Sequence, residues 1–429
     1  VGLVVWTTLI VGGVAIGTDW LGAAAFPRGE TLWGTLGWVL SAVVAVFMVK
    51  RLVLWMVYRP LAPHEDDAVL PTLTVVIPAF NEGPMVRRSI ESVLASDYPA
   101  ERLTIIVVND GSTDDTGAHI DAVVAEHQAT GRLSAIHLPQ NAGKRGALYA
   151  GFKAAQTEVV ATVDSDTLVR PRALRALVTP FVHRPHVAGV AGRVLVHNRF
   201  DNVLTRMLGV RYILGFDFIR AYQSVLGTVW CCPGALQAYR RPVIAPHLDA
   251  WMGQHFLGAQ CTNGDDHAMT NLVLSLGYDT NYQQNAEVET LAPSTYVKLC
   301  KMYVRWARSA TREGLRALAF TPRRCLRLGP WRGPLVLIDA LLQPAAIVAR
   351  IGALVGVLTL LFTNPLSLLN VLVGVASSAV LYGFIYLRSE FSIEAVFGVL
   401  YALFAVIFLP WIQPFATLTV RRNGWLTRG

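Results

Sequence analysis

The amino-acid sequence predicts an α/β domain on a mostly parallel sheet, joined to an α-helical transmembrane region. Three observations carry this prediction. Short β-branched runs alternate with stretches of helical apolar spacing between Thr72 and about Ala319. Charge-free apolar runs flank that segment at 1–18, 31–49, 351–387 and 395–420, near or beyond the ~20 residues of a spanning helix. Of 429 residues 53% are apolar and only 15% charged, with mean hydropathy +0.43. That balance excludes a disordered chain, a collagenous fibre and a disulfide-stapled mini-protein.

Taken in order, residues 1–60 read as two N-terminal transmembrane helices. The first run lacks a basic start and a small-residue cleavage site, so it reads as an anchor. Lys50, Arg51 and Arg59 follow the second run, whereas Asp19, Arg28 and Glu30 balance before it. This asymmetry predicts a multi-pass protein of the cell membrane with the next domain in the cytoplasm. In that domain, 72–320, the runs 73–77, 103–108 and 159–163 read as buried strands, with helices at 86–95 and 116–129. Its last part carries Lys301, Arg305, Arg308, Arg312 and Arg316 at helical steps, as in a basic amphipathic helix on the inner membrane face. Lipid contact is one reading of all of them but Arg305. Residues 331–420 form a C-terminal transmembrane or channel region with segments near 334–362, 366–387 and 394–412. The segment holding Pro344 is expected to break or re-enter, and a kinked packing helix is the alternative.

Net charge is +8 with pI ≈ 9.4. Because the cations sit between the domain and its apolar segments, membrane lipid is the expected partner and nucleic acid is not. The five cysteines follow no metal-binding or disulfide spacing and read as reduced thiols.

The polar clusters fall where a parallel sheet binds ligands, beyond the strands' C-terminal ends. Asp164-Ser165-Asp166 follows a strand run, and residues i and i+2 of extended backbone point to one side, so two carboxylates converge on a hard cation. Taken alone such a pair is a solvated turn. Its companions are Pro78-Ala79-Phe80-Asn81-Glu82 and Asn109-Asp110-Gly111-Ser112, which offer acceptors for a base or ribose and, in Phe80, a flat ring. Lys144 and Arg145, in a Gly-rich loop, suit a diphosphate. Downstream stand Cys232-Pro233-Gly234-Ala235-Leu236, Tyr239-Arg240-Arg241, Gly264-Asp265-Asp266-His267 and Arg305-Trp306. Adjacent acids repel, and one of Asp265 and Asp266 is expected to hold a raised pKa suited to base work.

In this order the motifs resemble the inverting family-2 glycosyltransferases, most closely the hyaluronan synthases, with features of the rhizobial chitin-oligosaccharide synthases. The resemblance implies a GT-A-like domain that binds UDP-sugar donors through Pro78, Ala79, Phe80, Glu82, Asp110, Lys144, Arg145 and Asp164. It implies Mg2+ or Mn2+ on Asp166 and Asp164, and Asp266 beside Asp265 as general base. Cys232, Gly234, Tyr239 and Arg240 would form the acceptor loop, and Trp306 would stack on the acceptor sugar while Arg305 assists the diphosphate. In the tail 421–429, Trp425 and Arg428 would cap the nucleotide from the cytoplasmic side. Met302 stands where that family's Gln-x-x-Arg-Trp signature has Gln, and Leu426 where the tail motif has Gly.

The implied activity is processive polymerisation of UDP-sugars into a β-linked polysaccharide that leaves across the membrane, by a protein functional as a monomer. Hyaluronan synthesis is the first reading and chitin or chitin-oligosaccharide synthesis the second. A non-catalytic transporter or scaffold and a lipid-phosphate glycosyltransferase are the readings from other classes.

Overall fold

The computed structural model describes residues 46–363 and 365–422. The first expected N-terminal span, most of the second, and Trp425 and Arg428 lie outside the described residues. Residues 46–57 are helical. This helix buries Leu52, Leu54, Trp55 and Met56 and exposes Val46, Val53 and Val57, with Trp55 edge-on to Phe218 at 5.7 Å.

The described residues then form ten strands: β1 (Leu73–Ala79), β2 (Leu103–Asn109), β3 (Leu133–His137), β4 (Val159–Val163), β5 (Thr167–Val169), β6 (Val187–Val196), β7 (Leu236–Arg240), β8 (His255–Phe256), β9 (Ala259–Gln260) and β10 (Asp279–Thr290). β8 and β9 make a separate hairpin, and the others form one sheet in the order β3-β2-β1-β4-β7-β6-β10-β5. β1 pairs in parallel with β2 and β4, β2 with β3 and β6 with β10, while β7 and β5 run antiparallel to their neighbours. β1 is buried at every position, as its mostly apolar run requires of a strand covered on both faces, and Thr74 within it shares a hydrogen bond with Thr157 at 2.7 Å. The expected helices are present as Met85–Leu94 and Thr116–Glu126.

The strand order positions the site. From β1 the chain goes to one side for β2 and β3, then returns to the other side for β4, and this reversal opens a crevice at the C-terminal ends of β1 and β4. Val163 at the end of β4 pairs with Leu236 at the start of β7, so the segment before β7 enters the same crevice. Thr167 pairs with Thr290, which brings β5 and the end of β10 to its rim.

Helix Tyr296–Thr363 leaves that rim and is interrupted at Gly329 (φ 78°, ψ −176°), just before Pro330. Three basic residues of this helix depart from the lipid-facing reading, whereas Lys301 is exposed. Arg308, Arg312 and Arg324 are buried, and Arg312 Nη2 donates to Asn263 Oδ1 at 3.0 Å while Arg324 Nη2 donates to Asp279 Oδ1 at 2.9 Å. Arg312 and Arg324 thus hold loops of the α/β domain, whereas Arg308 Nη2 donates to Thr419 Oγ1 at 2.9 Å, beyond helix Ile412–Leu418. The expected break at Pro344 is also corrected, since Pro344 lies inside the helix. The bend falls instead between Ile393–Phe408 and Ile412–Leu418, at 52°, where Pro410 removes a backbone donor. Tyr296–Thr363 contains a stretch of mean hydropathy 2.3, long and apolar enough to cross a membrane, and the bent pair qualifies only when taken together.

Candidate active site

Two cavities meet in the crevice. The smaller, ≈ 320 Å³, is lined by Pro78, Ala79 and Phe80 after β1, Asp110 after β2, and Asn141, Lys144 and Asp164. The larger, ≈ 460 Å³, shares Lys144 and Asp164 and adds Asp166, Gly234, Arg220, Met302, Arg305 and Trp306. Lys144 and Asp164 therefore form a common wall, and they are paired to each other.

Local contacts hold the strand-end loops in place. Asn81 adopts φ 53°, a conformation its short amide tolerates, and its Oδ1 accepts from Thr113 N at 2.9 Å. Glu82 accepts from Ser165 Oγ at 2.9 Å and so ties the β1 loop to the Asp164 loop. Asp110 accepts from Ala142 N at 2.7 Å, which fixes the loop before Lys144. Burial pushes the Asp110 carboxyl up against the opposing pull of the Ala142 and Gly143 amides.

Lys144 is the electrostatic hub. Burial by itself favours the neutral amine, but Asp164, Asp265 and Asp266 outweigh it and hold the ammonium above the ordinary lysine value. Gly234 passes so close that a Cβ there would stand 2.7 Å from Lys144 Nζ. Any side chain at this position displaces the ammonium that both cavities share.

Asp265 and Asp266 open the helix Asp265–Ser275. Gly264 before them has φ 73°, and a Cβ on it would lie 2.0 Å from Ser309 Oγ, so only glycine lets the acid pair approach the Tyr296–Thr363 helix. The raised pKa expected of the pair falls on Asp265: burial drives it up, Lys144 opposes and the Asp266 charge adds. Asp265 Oδ2 is buried without a hydrogen-bond partner among the described residues, an environment suited to a protonated carboxyl. Asp266 is half-buried, and its Oδ2 lies 3.8 Å from Cys231 Sγ.

Arg145, Cys232, Tyr239 and Arg240 do not line the crevice. Arg145 is buried, lies over Trp251 at 5.2 Å and donates to Gln254 Oε1 at 2.9 Å; it holds the segment leading to Asp265 rather than a diphosphate. Cys232 is buried beneath the loop, its N–H donating to Thr270 Oγ1 at 3.0 Å. Tyr239 is buried in β7 and donates to Gln237 Oε1 at 2.7 Å. Arg240 leaves the far end of β7 to donate to Val187 O and Phe181 O, both at 2.7 Å. A motif spaced along a strand alternates faces, so only its first part, Pro233, Gly234 and Ala235, reaches the cavity.

Asp164 and Asp166 both line the larger cavity, and Thr290 Oγ1 donates to Asp166 Oδ1 at 3.3 Å. Two carboxylates from one strand end fit a hard divalent cation whose other ligands are diphosphate oxygens and water. Among the described residues no third acidic, His or Cys ligand joins them.

Across the cavity, Trp306 is 44% exposed and belongs to an aromatic group with Tyr303 at 5.6 Å and Tyr212 at 6.3 Å. Sequence reasoning missed this wall: Arg211, Tyr212, Gly215, Phe216 and Arg220, several of them on a π-helical turn, Leu214–Arg220. Buried Asp217 holds the turn, accepting from Arg193 Nε at 2.9 Å and Tyr282 Oη at 2.7 Å. The sign in the sequence was Asp217 itself, a carboxylate set between Phe216 and Phe218, which needs a buried cation to explain it.

Comparison with known proteins gives the same assignment as the motifs. The model of "Glycosyl transferase family 2" matches residues 74–247. An N-acetylglucosaminyltransferase of Azorhizobium caulinodans is 35% identical over 59% of this chain and 64% of its own length. A hyaluronan synthase of Streptococcus pyogenes is 34% identical over 65% of each chain, so the match spans just under two thirds of both relatives. An N-acetylglucosaminyltransferase of Sinorhizobium fredii is 30% identical over 86% of each chain. With that near full-length relative and the family match across β1 to β7, the chain belongs to glycosyl transferase family 2.

Proposed function

We propose that the protein is a processive, inverting, UDP-sugar-dependent glycosyltransferase that polymerises a β-linked polysaccharide and passes it across the cell membrane. The observation that carries this reading is the pair of cavities joined at Lys144 and Asp164. One has a flat ring and acceptors for a nucleoside, and the other has an aromatic face for a sugar chain. The donor would lie with its base against Phe80 and Asp110 and its diphosphate beside Lys144. Asp166 and Asp164 would hold Mg2+ or Mn2+, which supplies Lewis-acid neutralisation of the leaving diphosphate.

The acceptor sugar stacks on Trp306, since an aromatic face holds a sugar without fixing its register. Its hydroxyl oxygen attacks the anomeric carbon opposite the diphosphate. The new C–O bond forms as the bond to the diphosphate oxygen breaks, UDP departs, and the hydroxyl proton passes to Asp266. Lys144 and Arg305 steady the charge on the departing diphosphate. Tyr296–Thr363, the bent pair and the N-terminal segments would form the membrane region, with the catalytic domain cytoplasmic, the chain monomeric and Trp425 and Arg428 capping the nucleotide.

Hyaluronan is the first product reading, with the hyaluronan synthase relative and the Gly264-Asp265-Asp266 motif in its support. The rhizobial relatives and the Cys231-Cys232 pair support a chitin-type product as the second. Purified protein with Mn2+ is given UDP-GlcNAc, UDP-GlcA or both, and products are sized and digested. Long, hyaluronidase-sensitive polymer only from the pair is the expected result. Chitinase-sensitive product from UDP-GlcNAc alone selects the second reading, and absence of transfer from every donor refutes the enzyme.

A further inference from the structure

A cavity of ≈ 640 Å³ lies at the opposite end of the sheet from the crevice, against Val187 and Asp279, where β6 and β10 begin. The transfer chemistry has no use for it. Its walls come from three elements: the end of helix 46–57 with Val57 and Arg59, the turn into β6 with Arg184, and Arg332, just past the interruption of the long helix at Gly329.

The charge in this cavity is unbalanced. Among the described residues lining it the one carboxylate is Asp279, which Arg324 Nη2 already meets at 2.9 Å and Arg332 Nη1 approaches at 3.7 Å. No ion pair within 4.0 Å joins Arg59 or Arg184 to a carboxylate of the described residues. Their partners are neutral: Arg59 Nη1 donates to Met56 O and Tyr58 O, both at 2.7 Å, and Arg184 faces the Asn281 side-chain amide. Both side chains are exposed, so an anion can reach them.

The surroundings of these cations are apolar. Val57 is 58% exposed on the same helical face as exposed Val46 and Val53, and Trp331, next to Arg332 in the chain, is also 58% exposed. Exposed tryptophan marks the edge between membrane and water. A small soluble anion would use only the cations. An amphipathic anion uses both parts, its phosphoryl oxygens accepting from the guanidinium forks and its acyl chains covering the apolar side.

We infer that Arg59, Arg184 and Arg332 form a site for the phosphodiester headgroup of an anionic glycerophospholipid. One lipid would then tie helix 46–57, the turn into β6 and the long helix together on the face remote from the crevice. This rests on the membrane reading of the apolar helices, and it is independent of the sugar transferred.

The test titrates the full chain in neutral detergent with short-chain phosphatidylglycerol, with phosphatidylcholine of the same chains and with inorganic phosphate, and reads bound adducts by native mass spectrometry. Phosphatidylglycerol is expected to bind at least about tenfold more tightly than either other probe at low salt, with the advantage shrinking as salt screens it. The advantage disappears in Arg59→Gln/Arg184→Gln and persists in Lys301→Gln/Arg323→Gln, which removes two exposed cations outside the cavity. Equal affinity for the two lipids, an undiminished advantage in the first double variant, or an equal loss in the second overturns the inference. Inorganic phosphate bound as tightly as the lipid assigns the cavity to a soluble anion and overturns it as well. If the first double variant fails to fold, Arg184→Gln alone, at an exposed turn, is expected to lose at least about threefold, and no loss has the same meaning. The transfer assay reads separately: turnover without lipid preference removes this site and leaves the enzyme standing, whereas lipid preference without turnover does the reverse.

Discussion

The two halves of the crevice are built on opposite plans. The nucleotide half comes from strand ends of a parallel sheet, its shared cation paired in place, Lys144 with Asp164. The acceptor half comes from segments far apart in sequence, the π-helical turn Leu214–Arg220, the loop before β7 and the Tyr296–Thr363 helix, and its wall is aromatic, with Trp306 beside Tyr303 and Tyr212. A preformed, charge-balanced site suits a ligand that must be held in one pose. An aromatic face, which holds a sugar without fixing its register, suits a chain that must slide.

The sharpest way to break this division is at the acid pair between the halves. Asp266→Asn removes the proposed base, and kcat is expected to fall about 10³-fold with donor affinity little changed, as general-base catalysis contributes 10²–10⁴. Single-turnover transfer with either donor measures it, and a loss below tenfold would place the base elsewhere. Next in size, Asp166→Asn or chelation is expected to lower transfer about a hundredfold. Mn2+ should restore the chelated protein but not the variant, and full activity in EDTA would count against a metal on Asp164 and Asp166.

Gly234→Ala sharpens the comparison at the shared wall. Its Cβ, 2.7 Å from Lys144 Nζ, pushes the ammonium off Asp164, so donor KM is expected to rise about tenfold, equivalent to roughly 1.4 kcal/mol, with a smaller change in kcat. An unchanged KM would mean that Lys144 does not touch the donor. Gly234 itself was legible from its motif, whereas the reason for it was not, because the ammonium it clears lies ninety residues earlier in the chain.

That contrast holds for the whole molecule. Strands β1, β2 and β4 and the residues just beyond them were readable because parallel strands are unbroken β-branched runs and their ligands sit at fixed ends. Tyr239, Arg240 and Arg145 were misplaced because a motif records spacing and not the direction a side chain takes on its strand or helix. The acceptor wall was unreadable because Asp217, the residue that sets the π-helical turn, finds its partners Arg193 and Tyr282 only after folding. Met302 belongs to both lessons: its departure from the family signature was visible, and its surroundings were not. It is buried with Leu208 and Leu299 while bordering the larger cavity. Met302→Gln is expected to destabilise the fold by about 1–2 kcal/mol by burying an amide in that apolar cluster, read as a lower denaturant midpoint. Longer products from the variant would show that the departure limits chain length, and unchanged length would remove that role.

The smallest effect tests the electrostatics that separate Asp265 from Asp266. Burial raises the Asp265 carboxyl above its unfolded value, with the Asp266 charge adding to the rise and Lys144 opposing it. Below the ordinary carboxylate range both folded and unfolded chains hold that proton, and ionisation makes no difference between them. As pH rises through that range the unfolded chain ionises first, so the native protein loses stability until the folded group also ionises, and the loss then levels off. Asp265→Asn cannot ionise and lacks this slope. Its melting temperature relative to the native protein is therefore expected to climb as pH rises through the carboxylate range toward the raised value, then to stay constant. Melting curves that run parallel at every pH would mean that Asp265 ionises normally and that the two acids share one environment.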